Sequence, residues 1–110
     1  FSILTLLTVS SYSAGTSSDS STKVKSDYDK AVKLIESAKK YEKKDKKEKA
    51  KKRYEKAQKL LLASNSKTPN KADTLNYLGF TTRKLGDYKS GEMYYLQGLQ
   101  IYLLKFQNPL

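Results

Sequence analysis

The stretch LGFTTRKLGDYKSGEMYY, Leu78 to Tyr95, constrains the fold more than any other part of the chain. Its apolar residues recur at helical spacing, yet it carries Gly79, Gly86 and Gly91. A glycine inside a helix costs about 1 kcal/mol relative to alanine, so three of them in helix-compatible sequence need a physical reason. Close approach of a second helix is such a reason, because a small residue on one rod makes room for a large one on its neighbour.

From Tyr28 onward only helical periodicity is present. Ser26 followed by Asp29 resembles a capping box with Asp in place of Glu and starts a first helix, which should end near Lys44 and Asp45. Val32, Leu34, Ile35, Ala38 and Tyr41 form its apolar side. Ala50, Tyr54, Ala57 and Leu61 make the stripe of a second helix running to about Asn65. Pro69 cannot continue that helix. Asn70 and Asp73 can cap a third, from Lys71 to Lys84, and Gly86 separates it from a fourth, from Tyr88 to Phe106.

Leu75, Leu78-Gly79, Leu85-Gly86, Tyr88, Gly91, Tyr95 and Gly98 together resemble the tetratricopeptide repeat, a helix–turn–helix unit of alternating large and small positions. The resemblance implies that Gly79 admits the second helix of the pair, that Gly86 makes the turn, and that Gly91 and Gly98 are receiving surfaces for bulk from Leu75, Leu78, Tyr88 and Tyr95. Thr82 departs from the family's preference for a large apolar residue, and Gly91 and Gly98 stand where it prefers Ala, so some looseness is expected. Gly91→Ala and Gly98→Ala are expected to be neutral or stabilising by up to about 1 kcal/mol provided that the opposing side chains tolerate a methyl, whereas Gly86 should resist because its turn needs positive φ.

The usual 34-residue spacing would put Asp45 and Glu48 in small and aromatic slots. A spacing of 41 instead pairs Leu34 with Leu75, Ala38 with Gly79, Asp45 with Gly86, Ala50 with Gly91, Tyr54 with Tyr95 and Ala57 with Gly98. The resemblance then implies an all-α protein: two antiparallel helix pairs, residues 28–69 and 70–106, forming a short right-handed α-solenoid over residues 27–106, with a tail at 107–110.

Residues 1–15 open on FSILTLLTV, an uncharged run as long as the apolar core of a signal peptide, followed by small residues that would permit cleavage after Ser13 or Gly15. Neither a Met nor basic residues precede it, which is expected if the sequence begins inside its reading frame. Residues 16–26, rich in Ser and Thr, have too little apolar surface to offset their ordering entropy and read as a disordered linker. The expectation is a bacterial protein, periplasmic or secreted, with no membrane span once the signal is removed.

The chain of 110 residues has no Cys and no His, which removes disulfides, thiol nucleophiles, imidazole bases and Cys/His zinc sites. Asp27 and Asp29 sit where helix caps belong, and no glycine-rich loop follows a strand as a phosphate cradle requires. No enzyme, metal or cofactor is expected. The net charge of +11 is concentrated early: residues 23–71 hold 18 Lys and Arg against 7 Asp and Glu, residues 72–110 only 4 against 3. KKYEKKDKKEKAKKRYEK, Lys39 to Lys56, could contact phosphates while Tyr41 and Tyr54 stack on bases, so a basic helical binder of nucleic acid, another anionic polymer or a membrane surface is the alternative reading.

What the resemblance implies first is a non-catalytic scaffold that binds a protein or peptide in a concave groove. On the third helix the groove positions would be Asp73, Asn76, Phe80, Arg83 and Asp87, with Lys84 alongside; on the first, Val32, Ile35, Lys39, Glu42 and Lys43. Phe80 offers an apolar anchor, Asn76 a backbone-binding amide, and Arg83 or Lys84 a partner for a carboxylate. The fourth helix is apolar on every side, whereas a terminal helix should be polar outside, so it calls for a cover: a continuation of the chain or a second copy forming a homodimer.

Overall fold

The structure is a computed structural model that describes residues 25–107. The signal-like segment, most of the linker and the end of the tail therefore lie outside the described residues. Among those described, the protein is all-α: α1 (Asp27–Lys43), α2 (Lys47–Lys67), α3 (Ala72–Lys84) and α4 (Tyr88–Gln107), with no strand.

The Ser26 side chain accepts a hydrogen bond from the Asp29 N–H at 3.1 Å and caps α1, with Asp27 and Asp29 in the first turn and Lys40 and Lys43 in the last, the order that the helix dipole favours. Two boundaries differ from expectation. α2 continues to Lys67, and α3 starts behind Lys71, which makes no side-chain capping bond, because Asn70 is spent on a left-handed turn at φ 64°.

The two inter-helix turns are built alike at an offset of 41 residues. Asp45 has φ 60° and Gly86 φ 99°. The Asp45 N–H donates to Glu42 O at 2.9 Å and the Gly86 N–H to Arg83 O at 2.9 Å. One residue on, the Lys46 N–H reaches back to Tyr41 O at 2.8 Å and the Asp87 N–H to Thr82 O at 3.1 Å. Both are helix C-termini closed by a left-handed residue, for which Gly carries no Cβ penalty and Asp is among the few tolerable substitutes.

Successive helices run antiparallel. Asp27 at the start of α1 meets Lys67 at the end of α2, an ion pair of 3.2 Å, while the Tyr54 hydroxyl donates to Glu42 at 2.9 Å near the opposite end. In the second pair Gly79 lies against Tyr95, Gly91 against Arg83 and Gly98 against Leu75. α1 and α3 run side by side in the same direction, since Tyr28 meets Tyr77, Lys39 meets Phe80 and Glu42 meets Lys84. α3 thus packs on α2 and α1 as well as on α4, whereas α4, of the described helices, approaches α3 alone.

The core is Ala31, Ile35, Ala38, Ala50, Tyr54, Ala57, Leu61, Leu75 and Leu78. Ile35, placed by the sequence on the groove side, is fully buried, and Leu34 is only half-buried, because the inward stripe of α1 runs through Ala31, Ile35 and Ala38. Tyr88 is also corrected. It is 64% exposed under the Arg83 guanidinium, because it opens α4 and its Cβ leans back beyond the end of α3. Thr82 is not a loose spot: it is buried and its hydroxyl accepts from Gln58 Nε2 at 3.0 Å. Thr81 returns its hydroxyl to Tyr77 O at 3.0 Å, so it is buried without an unpaired donor.

The glycines bear different loads. A Cβ on Gly79 would meet the Tyr95 ring at 2.8–2.9 Å. One on Gly91 would meet the Arg83 side chain and the Gly79 carbonyl oxygen at 3.0 Å, so the expected tolerance of alanine there is corrected. At Gly98 the nearest atom, Leu75 Cβ, is 3.2 Å away.

Candidate binding groove

The parallel arrangement of α1 and α3 brings residues of both units to one surface. Phe80, one turn before the end of α3, packs edge-to-face on Tyr54 with ring centroids 5.9 Å apart. Two ammonium groups lie over its ring, Lys39 Nζ at 4.9 Å and Lys84 Nζ at 5.7 Å from the centroid. Such cation–π contacts hold flexible lysines near an apolar floor. Lys84 is also bound to both carboxylate oxygens of Glu42 at 3.1 and 3.2 Å, and Glu42 accepts in turn from Tyr54. Burial first, and then this bond to Glu42, push the Tyr54 phenol well above its ordinary pKa.

Two adjoining depressions share Phe80 and Tyr95. One, of about 440 Å³, reaches from Tyr28 and Lys39 across Asn76 and Tyr77; the other, of about 360 Å³, runs past Arg83 and Lys84 to Tyr88. Together they make a groove with an aromatic floor, an exposed amide at Asn76 and a rim of Lys39, Asp73 and Arg83. Because Glu42 compensates Lys84, Lys39 is the cation over Phe80 that makes no ion pair among the described residues.

Of the groove residues expected from sequence, Lys39, Asp73, Asn76, Phe80, Arg83 and Lys84 line these depressions. Lys43 is exposed near the α1–α2 turn and lines neither. Asp87 lies in the α3–α4 turn, where its carboxylate accepts from the Ser90 N–H at 3.1 Å; that backbone bond holds it below the usual carboxylate range. Tyr28, Tyr77 and Tyr95 were not among the expected groove residues. Tyr95 was assigned wholly to packing, yet only one side of its ring covers Gly79 and the rest lines the groove.

The basic segment keeps its lysines in solvent: Lys43, Lys44, Lys46, Lys47, Lys49, Lys51 and Lys52 are all exposed. Its tyrosines are engaged. Tyr54 is buried, and Tyr41 is half-buried beneath Lys49 and Arg53, at 5.7 and 5.3 Å from its ring centroid. Among the described residues no three acidic side chains converge as a metal site requires, and no helix is long and apolar enough to cross a membrane. Compared with protein-family models, curated proteins and solved structures, the chain matches none of them.

Proposed function

We propose that the chain is a short helical-repeat scaffold of tetratricopeptide type, two units of a right-handed solenoid, whose groove binds a segment of a partner protein and performs no chemistry. The observation that carries this reading is the convergence of Lys39, Phe80 and Lys84, from helices of both units, on one aromatic-floored groove. An apolar floor beside an uncompensated ammonium and an exposed amide suits an extended peptide with one large apolar side chain next to a carboxylate. The apolar run at the N-terminus supports an exported setting, the periplasm or outside of a bacterial cell.

Selection of random peptides displayed on phage, followed by calorimetry of the winning peptide, tests the groove. The winners should carry an apolar residue beside Asp or Glu, and Phe80→Ala should weaken them by about tenfold or more. Failure to enrich any peptide, or a Phe80→Ala chain that binds as well as the parent, would count against the proposal.

The exposed lysines around the α1–α2 turn support a second reading, an anionic-polymer binder that touches phosphates or sulfates through charge alone. Heparin affinity that falls steeply with salt and drops when Lys46, Lys47, Lys51 and Lys52 become Gln would favour it.

A further inference from the structure

The 41-residue equivalence of the two units identifies what the outer side of α4 is shaped to receive. Besides the exposed Asp73, whose counterpart 41 residues earlier is the half-buried Val32, Ala72, Asn76, Tyr95, Gly98, Leu99 and Tyr102 line an open cleft of about 280 Å³ between α3 and α4. Their counterparts 41 residues earlier are Ala31, Ile35, Tyr54, Ala57, Gln58 and Leu61. Five of those six are core residues, and the sixth, Gln58, is tied to Thr82 of α3. The cleft on the second unit therefore corresponds to the surface that α3 occupies on the first and is a seat for a helix; it meets the groove at Asn76 and Tyr95, so a helix seated there and a peptide at that end of the groove exclude each other.

We infer that the occupant is α4 of a second copy of this chain, laid antiparallel. Leu96, Leu99, Leu103 and Phe106 step along one side of α4 by three, four and three residues, the spacing of a coiled-coil seam; all are exposed, and Leu99, which also lines the cleft, sets the seam along the cleft's edge. That spacing is symmetric end to end. In an antiparallel pair Leu96 of one copy falls opposite Phe106 of the other, and Leu99 opposite Leu103, so the surface is complementary to itself as a two-fold interface must be. With Tyr102, five side chains about half open contribute on the order of 500 Å² of apolar surface at roughly 100 Å² apiece. That matches the apolar share of the roughly 800 Å² each partner gives to a stable interface.

Charge favours the same arrangement. The half of the chain bearing α4 is nearly neutral, 4 basic against 3 acidic residues, while the basic excess sits in residues 23–71, ahead of α3. Two chains of +11 can associate there without opposing their lysines. A head-to-tail stack is disfavoured by the other end of the molecule: the positions 41 residues before Thr74, Thr81 and Leu85, which α3 turns inward, are Lys33, Lys40 and Lys44, all exposed.

Sedimentation equilibrium of the full chain should give a monomer–dimer equilibrium, predominantly dimer at about 100 µM, since the interface is of standard size. Leu99→Glu with Leu103→Glu should raise the dimer dissociation constant by about 100-fold or more while the helical circular dichroism is retained. The chain has no cysteine, so disulfides can be read directly: an oxidised mixture of Leu99→Cys and Leu103→Cys chains should yield mainly the mixed disulfide. This second readout stands if the double Glu variant fails to fold. A monomeric parent chain, a dimer indifferent to the Glu pair, or disulfides formed mainly within like variants would overturn the inference.

Discussion

Replacing Gly91 by alanine sets helix propensity against the space between α3 and α4. The methyl group gains about 1 kcal/mol of intrinsic helix stability. It would also press on the Arg83 side chain, lie 3.0 Å from the Gly79 carbonyl oxygen and 3.3 Å from the Arg83 backbone nitrogen. Arg83 is exposed and can swing its side chain aside, but the two backbone atoms belong to α3 and yield only if the helices part. Parting them would also lift Tyr95 off Gly79, where ring and backbone are already in close contact. Overpacking of this kind destabilises by about 1–3 kcal/mol. Set against the propensity gain, the net expectation is a loss of about 1 kcal/mol, or roughly 4–8 °C in Tm for a domain of this size. Gly98→Ala is the internal control, because its nearest neighbours, Leu75 Cβ at 3.2 Å and Ala72 O at 3.4 Å, need yield only slightly and the propensity gain offsets that. Thermal melts by far-ultraviolet circular dichroism, at one protein concentration so that self-association does not shift Tm, provide the assay. A Gly91→Ala chain that melts at or above the parent would refute the reasoning.

The two turns should respond together: Gly86→Ala and Asp45→Ala each place alanine at a positive φ and should lower stability by about 1 kcal/mol in urea titrations. Thr82→Phe, which supplies the bulk that the tetratricopeptide resemblance would call for, should destabilise by about 1–3 kcal/mol because the site is already filled by the Gln58–Thr82 contact. The raised pKa of Tyr54 means that the folded state holds its phenolic proton more tightly than the unfolded chain does. Its contribution is complete below the ordinary phenol value of about 10 and is lost progressively as pH rises above it, towards the folded value. In a spectrophotometric titration Tyr54 should be among the last tyrosines to ionise, and Tyr54→Phe should remove that late step; an unchanged curve would contradict the Glu42 bond.

The sequence carried the helices because their apolar stripes recur at three and four residues, and it carried the 41-residue offset because large and small positions could be matched by size. What it could not separate were neighbours. Leu34 and Ile35 are both apolar and differ only by the turn of one residue about the axis, so their burial depends on how α1 is rotated against α2. Thr74 and Thr81 escaped notice, and Thr82 stood out only for its size, because their residue type predicts exposure, while their burial depends on short side chains whose hydroxyls find partners or can be accommodated between close helices. The groove was partly legible: Phe80, Lys39 and Lys84 follow from the face that the tetratricopeptide resemblance implies, read at helical spacing. The Lys84–Glu42 pair that compensates one of its cations does not, because it spans 42 residues between helices whose separation no periodicity encodes. Tyr88 was misjudged for a related reason, since a pattern of sizes does not reveal where a helix pair begins to diverge.

The most direct test of two helices held together by large side chains against small ones is the nuclear Overhauser spectrum of the folded chain, read between the Tyr95 ring and Gly79. Strong cross-peaks from the ring to the Gly79 α protons, with those protons moved upfield by the ring current, are the predicted result. Gly79 α protons at random-coil positions, with no cross-peak to Tyr95, would contradict the account.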